Sequence, residues 1–247
     1  MIPKIAVVTG AARGIGLAVS QALLNDGWQV VGVDINKTQL HQTAAELTAA
    51  QLPFTPKVAD LTDATQVEQL FAEVVEELGG VDALVNNAGT CFMNDFTDIS
   101  AVEFRQQMAI NFDSAFYCCQ QAIPSMLTRP GVKKIVNISS NGAYNFDVFD
   151  PAHYRASKAA VDNLTKHLAR RYAKEKICVN SIAPAMTRTD LFDVVSPEVL
   201  EQAIAGMPHG RPMEAAEIAA WVAFLISPAG DCSSGNVIIL NQGRDVR

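Results

Sequence analysis

Short apolar runs alternate with longer amphipathic stretches along this chain. The runs are rich in Val and Ile and lack regular polar alternation, so they predict strands buried on both faces, as in a parallel sheet. These runs are KIAVVT (4–9), WQVVGVD (28–34), ALVNNAG (83–89), KIVNIS (134–139), CVNSIA (178–183) and NVIIL (236–240). The weaker run PFTPKVAD (53–60) contains two prolines and predicts a strand at an edge or an end of the sheet.

The stretches between these runs predict helices over about 15–26, 37–50, 63–78, 100–128, 153–175 and 214–226. Repeated strand–helix units indicate an α/β fold, a doubly wound parallel sheet with right-handed crossovers. The chain contains no repeat, no low-complexity tract and no linker. We therefore expect residues 1–247 to form a single Rossmann-fold domain.

Charge and composition narrow the class of function. The chain has 247 residues and a net charge of −7, which gives no electrostatic footprint for nucleic acid or an anionic membrane. No apolar stretch is long enough to span a bilayer, and the N-terminus enters a strand pattern without a signal-peptide layout. The five cysteines form no CxxC pair. We expect a cytoplasmic protein with reduced thiols and a small-molecule substrate.

The first strand ends in TGAARGIG, with glycines at 10, 14 and 16. Gly10 permits a tight turn, Gly14 lets the backbone approach a pyrophosphate, and Gly16 lets the following helix pack close to the sheet. Asp34 ends the second strand, where a carboxylate can accept hydrogen bonds from the adenosine ribose. Steric turns of this kind also occur without a nucleotide, and Asp34 also suits a helix cap.

The segment HYRASK places Tyr154 and Lys158 four residues apart at the start of a predicted helix. Residues at this spacing share a helix face. A cation beside a tyrosine favours the phenolate and lowers a pKa that is normally about 10. The pair therefore predicts a proton-transfer group, although a half-buried tyrosine above a solvated lysine fits the same spacing.

Taken in order, these motifs resemble the short-chain dehydrogenase/reductase family over essentially the whole chain. TGAARGIG resembles its TGxxxGxG turn, Asp60-Leu61 its adenine-side contact, NNAG (86–89) its central-strand motif, and YRASK its YxxxK. The resemblance implies a nicotinamide cofactor and a homotetramer. No His/Cys/Asp cluster has metal-ligand spacing, so no catalytic metal is expected. The residues that the resemblance assigns to the cofactor are Gly10, Arg13, Gly14, Ile15, Gly16, Asp34, Ile35, Asp60, Leu61, Asn87, Ala88, Gly89, Tyr154, Lys158, Pro184, Thr187 and Thr189.

The same resemblance implies a catalytic role for four residues. Tyr154 exchanges a proton with the substrate oxygen, while Lys158 lowers the tyrosine pKa and binds the nicotinamide ribose. Ser140 of VNISS hydrogen-bonds the substrate oxygen, with Ser139 as a minor rival, and Asn111 holds a water next to the lysine. Asp34 would repel a 2′-phosphate, so NAD is expected in preference to NADP despite Arg13.

Three departures from the family pattern stand out. The stretch from Ser140 to Tyr154 is one residue longer than the commonest spacing, and Ala185 replaces the glycine that usually follows Pro184. Ala185 lacks the freedom of glycine at positive φ, so the following loop is expected to take a different path. The C-terminal NQGRDVR (241–247) replaces a commoner Asp-Gly-Gly ending.

The predicted function is NAD-dependent oxidation of a secondary alcohol, or reduction of its ketone. Three segments are expected to line the substrate site, 90–96, 141–153 and a substrate loop at about 185–210, and their mainly apolar composition favours a neutral substrate. They contribute Phe92, Met93, Tyr144, Phe146, Phe149, Met186, Phe192 and Met207.

Two alternatives remain. One is a 3-oxoacyl thioester reductase, which would need Arg129, Lys133 and Lys134, otherwise a solvated basic loop, to dock an acidic carrier protein. The other is a nucleotide sensor or scaffold on the same fold.

For the tetramer, helices 100–128 and 153–175 are the expected contact surfaces, because the former carries Phe112, Phe116 and Tyr117.

Overall fold

Seven parallel strands form the central sheet of this protein, seen in a computed structural model that describes residues 4–145, 151–189 and 197–245. The strand order is β3-β2-β1-β4-β5-β6-β7. The strands are β1 Ile5–Thr9, β2 Gln29–Asp34, β3 Phe54–Val58, β4 Ala83–Asn86, β5 Lys133–Ile138, β6 Ile177–Pro184 and β7 Val237–Leu240. Each of the six Val/Ile-rich runs overlaps one of these strands, and the proline-containing run includes the edge strand β3.

Helices cover both faces of the sheet. They are α1 Gly14–Asn25, α2 Lys37–Ala49, α3 Ala64–Leu78, α4 Ala101–Met108, α5 Ser114–Thr128, α6 Ala152–Arg171, α7 Pro197–Ala205 and α8 Ala215–Ile226. Apolar side chains of α1, α2 and α8 pack on one face of the sheet, and those of α3, α5 and α6 pack on the other. The predicted doubly wound α/β fold is therefore confirmed.

Two helix predictions were wrong in detail. The predicted helix 100–128 is interrupted by a π-helical turn, Ala109–Asp113, which separates α4 from α5. The predicted helix 153–175 ends at Arg171. A single π turn within a helix often marks a functional position, because the extra residue turns a side chain out of the regular helical register.

The predicted substrate loop at 185–210 is also only partly a loop. Residues 197–205 within it form α7, while residues 190–196 lie outside the described part of the chain. Ala185 does not need the positive φ that its position suggested. Its N–H donates to the carbonyl of Leu240 at 2.8 Å, so the chain leaves β6 alongside the end of β7.

The topology fixes where a ligand site can form. The chain reverses direction across the sheet between β1 and β4, which lie side by side. In such sheets ligands bind beyond the carboxyl ends of the strands at this switch point. Among the described residues, no helix is both long and apolar enough to cross a membrane.

Candidate active site

A cavity of about 1100 Å³ opens at the carboxyl edge of the sheet, at the switch point. Of the residues predicted for cofactor or catalysis, all but Gly16 and Asn111 line this cavity. Those two lie directly behind its wall. The fold thus brings the separate sequence motifs together around one space, although their individual roles remain predictions.

The glycine turn between β1 and α1 is packed so closely that larger residues do not fit. A Cβ built on Gly16 would lie 2.0 Å from the carbonyl oxygen of Gly10, and one built on Gly10 would lie 2.8 Å from Nδ2 of Asn87. Gly10 also has a φ of +63°. The turn therefore leaves its backbone open toward the cavity, as a pyrophosphate cradle requires.

Hydrogen bonds connect this turn to the segment after β4. The hydroxyl of Thr9 accepts from the N–H groups of Asn87 (2.9 Å) and Ala88 (3.0 Å). The side-chain amide of Asn87 donates to the carbonyls of Thr9 (3.0 Å) and Gly10 (3.1 Å). The two motifs on either side of the switch point therefore form one rigid unit.

Two carboxylates on the nucleotide side are held in place. One oxygen of Asp34 accepts from the N–H of Ala12 (3.1 Å), and the other accepts from the N–H of Asn36 (2.9 Å). Asp60 accepts from both the N–H and the hydroxyl of Thr62, at 2.9 and 2.7 Å. Asp34 is therefore oriented before any ligand binds, and it remains partly exposed within the cavity.

On the C-terminal side of the cavity, Thr187 and Thr189 follow β6. The hydroxyl of Thr187 donates to the carbonyl of Ala185 at 3.0 Å. The Cγ2 of Thr189 would lie 3.6 Å from a Cβ built on Gly14, so this side chain lies next to the glycine turn. Both threonines are thus placed to contact a nucleotide bound across the turn.

Lys158 is the buried cation of the site. Its side chain is 5% exposed as part of α6, and Nζ donates to the carbonyl of Ile138 at 3.0 Å. Nζ lies 6.0 Å from the centroid of the Tyr154 ring. Burial lowers the pKa of Lys158 to about 8, an effect that the nearby Asp162 and Cys91 oppose. The arrangement predicted from the Tyr–x–x–x–Lys spacing is present, with the lysine buried rather than solvated.

Asn111 lies in the π turn and contacts three groups. Its Nδ2 donates to the Thr90 carbonyl (2.9 Å) and to the Ser157 hydroxyl (3.0 Å), while its Oδ1 accepts from the N–H of Thr90 (2.8 Å). A Cβ built on Gly89 would lie 3.2 Å from both Oδ1 of Asn111 and Nζ of Lys158. The absence of a side chain at Gly89 lets these two polar groups approach each other.

The two serines after β5 face different surroundings. The hydroxyl oxygen of Ser140 accepts from the N–H of Gly142 at 3.0 Å, which leaves its proton for another acceptor. The hydroxyl of Ser139 donates to the buried carboxylate of Asp162 at 2.9 Å. This difference favours Ser140 as the serine that meets a substrate.

Three side chains spaced four residues apart hold segment 90–94, which forms part of the substrate end. Asn111 binds Thr90, Gln107 binds both Thr90 (2.7 Å) and Phe92 (2.9 Å), and Glu103 accepts from Nδ2 of Asn94 (2.6 Å). We call Glu103, Gln107 and Asn111 the polar ladder. Sequence reasoning identified only Asn111, although the i, i+4, i+8 spacing was a usable signal for the other two.

Glu103 also connects the polar ladder to α6. Its Oε1 lies 3.0 Å from Nε2 of His153, which is 2% exposed and directly precedes Tyr154. Glu103 itself lines the cavity. The first turn of α6, where Tyr154 is found, is therefore fixed to α4 through a polar contact.

Several predictions about the substrate end need correction. Phe92, Met93 and Met186 line the cavity as expected, but the hydroxyl of Tyr144 donates to Asp162 (2.8 Å) and Met207 is buried. Phe146, Phe149 and Phe192 lie outside the described residues. Arg244 lines the cavity and was not predicted, because its approach depends on the path of the chain after β7.

The predicted basic loop is not a solvated patch. Arg129 pairs with Asp82 at 2.6 Å, Lys133 donates to the carbonyls of Arg129 and Gly131, and Lys134 pairs with Asp231 at 2.7 Å. Both lysines are almost fully buried. They also begin β5, at the opposite edge of the parallel sheet from the cavity. This interpretation was therefore wrong, because long-range ion pairing is not visible in a local charge pattern.

The described residues contain no cluster of His, Cys, Asp and Glu suited to a metal ion. All five cysteines are free, and only Cys232 is exposed. Burial raises the pKa of the Cys119 thiol to about 12. The buried Cys118 and Cys119 are therefore unreactive core residues.

Comparison with known proteins gives consistent matches over nearly the whole chain. A family model described as enoyl-(acyl carrier protein) reductase matches residues 10–245. A 3-oxoacyl-[acyl-carrier-protein] reductase FabG of Staphylococcus aureus is 36% identical over 244 residues, 97% of each chain. A 2,3-dihydroxy-2,3-dihydro-p-cumate dehydrogenase of Pseudomonas putida is 31% identical, covering 97% of this chain and 93% of the relative.

A solved structure gives the same result for the fold. A short-chain dehydrogenase/reductase of Brucella melitensis, titled as a glucose/ribitol dehydrogenase, superimposes with a TM-score of 0.91. It is 30% identical, and the match covers 99% of this chain and 97% of that one. The fold and the sequence motifs therefore point to the same group of proteins.

Proposed function

Because this chain belongs to the short-chain dehydrogenase/reductase family, we propose that it transfers a hydride between NAD and a secondary alcohol or its ketone. Family membership makes it an oxidoreductase with a nicotinamide cofactor, which sets aside the sensor or scaffold alternative. The observation that carries the finer proposal is the convergence of Ser140, Tyr154 and buried Lys158 on the cavity that the glycine turn also lines.

The proposed roles follow from the contacts of each side chain. Tyr154 donates a proton to the substrate oxygen during reduction and removes it during oxidation. The Lys158 cation beside its ring stabilises the phenolate, and Ser140 donates a hydrogen bond to the substrate oxygen. Asn111 holds Thr90 and Ser157 in place and presents its oxygen next to Gly89, where a water can join it to Lys158.

The glycine turn supports a nucleotide in this cavity, since added Cβ atoms would collide with the neighbouring backbone and Asn87. Gly10, Gly14 and Thr189 would hold the cofactor on this side, and Lys158 would hold its nicotinamide ribose. When bound, the nicotinamide supplies or accepts the hydride.

Asp34 supports the choice of NAD. Two N–H groups orient its carboxylate, which remains partly exposed in the cavity and can accept hydrogen bonds from ribose hydroxyls. A 2′-phosphate carries a charge of about −1.5 to −2 and would be repelled at this position. Arg13 also lines the cavity, and we propose that the Asp34 carboxylate outweighs its effect on a 2′-phosphate.

The lining of the substrate end supports a mainly apolar, neutral substrate. Phe92, Met93, Met186, Leu200 and Ala203 line this region. Two charged side chains also line the cavity. Glu103 would repel an anionic substrate, and Arg244 would repel a cationic one. A neutral alcohol or ketone avoids both penalties.

A 3-oxoacyl thioester on a carrier protein is the second candidate, favoured by the name of the Staphylococcus aureus relative. The sequence predicted that an acidic carrier protein would dock on Arg129, Lys133 and Lys134. The structure argues against this docking site, because these side chains are paired or buried and lie away from the cavity. A carrier would therefore have to dock on other groups.

A direct assay separates the two candidates. The purified protein is tested with cyclic and aryl alcohols, their ketones and a 3-oxoacyl thioester, each with NAD(H) and NADP(H). We expect the highest kcat/KM for a neutral alcohol or ketone with NAD(H). A much higher efficiency with the thioester would instead favour the second candidate.

We also propose that the protein is a cytoplasmic homotetramer. Phe116 on α5 is 41% exposed and contacts Phe112 and Tyr117, while Trp221 and Phe224 form a second exposed aromatic pair on α8. A tetramer with twofold symmetry uses two different faces of each subunit. These two aromatic groups provide two such faces, and α8 is added to the helices 100–128 and 153–175 that the sequence predicted. Sedimentation at micromolar concentration tests this proposal, and a monomer would refute it.

A further inference from the structure

Asp162 is a buried carboxylate with no role in the proposed mechanism. It lies on α6 one turn after Lys158 and is 2% exposed. Its Oδ2 accepts from the hydroxyls of Ser139 (2.9 Å) and Tyr144 (2.8 Å), and its Oδ1 accepts from the hydroxyl of Ser181 (2.6 Å). Burying a carboxylate this deeply costs free energy of folding unless hydrogen bonds and a cation stabilise its charge. The three hydroxyls supply the hydrogen bonds to Asp162.

The three hydroxyls come from the segments that surround the proposed catalytic serine. Ser139 directly precedes Ser140, and Tyr144 follows the short 3₁₀ turn Asn141–Ala143 that Ser140 caps. Ser181 lies on β6, the neighbouring strand. The Ser139 hydroxyl is also 3.2 Å from the carbonyl of Lys158. Asp162 therefore joins α6 to the segments on both sides of Ser140.

Asp162 also acts electrostatically on Lys158. Burial lowers the pKa of Lys158, and the charges on Asp162 and Cys91 oppose that effect. Burial raises the pKa of Asp162, whereas the three hydroxyls and Lys158 lower it. Each of the two charged groups thus favours the ionised form of the other.

We propose that Asp162 is a positioning residue for the reaction, which keeps Lys158 cationic from one turn further along α6 and fixes the segments that present Ser140. This inference rests on the proposed roles of Lys158 and Tyr154. Asp162 contacts neither substrate nor cofactor, because it is not part of the cavity lining. Its effect passes through Lys158, Ser139 and Tyr144.

The test compares Asp162→Asn with Ser181→Ala through the pH profile of kcat/KM for ketone reduction. Asparagine keeps the shape of the side chain but removes the charge, so Lys158 loses its proton at a lower pH. We expect the high-pH fall in activity to move about one unit toward lower pH, and kcat at pH 8 to fall about fivefold. Ser181→Ala removes one of the three hydroxyls that lower the pKa of Asp162 but leaves the carboxylate in place, so its midpoint should move less than that of Asp162→Asn.

A purely structural role predicts that both variants lose activity in proportion to their loss of thermal stability, with unchanged midpoints. A profile of Asp162→Asn that superimposes on the wild type after scaling would therefore overturn the proposal. Ketone reduction by the wild type, and its loss in Tyr154→Phe, test the proposed function separately. The two failures are thus distinguishable.

A second variant covers the case in which Asp162→Asn does not fold. Ser139→Ala combined with Tyr144→Phe removes both donors to Oδ2 and raises the pKa of Asp162, which weakens its negative charge. We expect a shift toward lower pH, in the same direction as for Asp162→Asn. No shift in this double variant would equally contradict the proposal.

Discussion

The two halves of the cavity are built in different ways. The nucleotide half, formed by the β1–α1 turn and the ends of β2 and β4, depends on the backbone and on Gly10 and Gly16, where an added Cβ would clash. The substrate half, formed by segment 90–94, α7 and the chain after β7, is held by side chains from distant segments, including the polar ladder. The first half is a fixed cradle, whereas the second depends on particular side-chain pairs.

This difference gives each half its own expected response to mutation. A change in the nucleotide half should act on cofactor binding through steric conflict or charge. A change in the substrate half should act on the substrate KM and leave the cofactor unaffected. Tyr154 and Lys158 lie where the halves meet, so changes there should test the chemistry itself.

The largest effect is expected for Tyr154→Phe. The ring remains and only the proton donor is removed, so turnover should fall about 1,000-fold while NAD affinity stays close to that of the wild type. Steady-state kinetics and cofactor titration measure the two quantities. Lys158→Ala should reduce both, because Lys158 is also the proposed ribose contact. Retention of most activity in Tyr154→Phe would rule out the proposed mechanism.

The next largest effect is expected for Gly16→Ala. The added Cβ would lie 2.0 Å from the carbonyl oxygen of Gly10, so the turn must move. We expect NAD affinity to fall about 100-fold and the free energy of unfolding to fall by about 2 kcal/mol. Titration and thermal unfolding measure these changes.

Gly27→Ala is the matched control for that variant. Gly27 has a φ of +82° and nothing within 4 Å of an added Cβ. It should cost about 1 kcal/mol through backbone strain and leave NAD affinity unchanged. If both variants bound NAD equally well, the steric account of the nucleotide half would be wrong.

The contrast between the halves also explains what the sequence could predict. Glycine spacing, a carboxylate at the end of a strand and an i, i+4 pair are local patterns, so the sequence could predict Gly10, Asp34, Tyr154 and Lys158 as site residues, and all four line the cavity. The strands were equally predictable, since Val-rich runs buried on both faces have few alternatives. Arg244 and Asp162 were not found, because their neighbours are distant in sequence and only the folded chain brings them together.

The π turn was missed for a related reason. Residues 101–128 have helical periodicity throughout, and a single extra residue in one turn leaves that pattern almost unchanged. The basic loop shows the reverse case. Its local charge pattern predicted a solvated patch, but in the folded chain ion pairs with Asp82 and Asp231 neutralise two of its cations.

A smaller effect is expected for Asp34→Ser. Serine keeps a short oxygen near the N–H of Ala12 but removes the charge that opposes a 2′-phosphate. The ratio of kcat/KM for NAD to that for NADP should fall about tenfold, the size of a partly screened charge interaction. Asp63→Asn, which removes one charge at an exposed helix cap, should leave this ratio unchanged. Equal efficiency with the two cofactors in the wild type would overturn the assignment.

The smallest effect is expected for Glu103→Gln, which tests the substrate half of the cavity. Glutamine keeps one oxygen acceptor but loses the charge and one of the two contacts, with His153 (3.0 Å) or with Asn94 (2.6 Å). Loss of one hydrogen bond to a charged group is worth about 1.5 kcal/mol at its lower limit, and water recovers part of it because the contact with Asn94 is exposed. We therefore expect the substrate KM to rise about fivefold, with the NAD KM unchanged.

Glu198→Gln makes the same chemical change at an exposed position in the first turn of α7 and should alter neither constant. A rise in the NAD KM, with the substrate KM unaffected, would mean that the polar ladder supports the nucleotide half and that the division between the two halves is wrong.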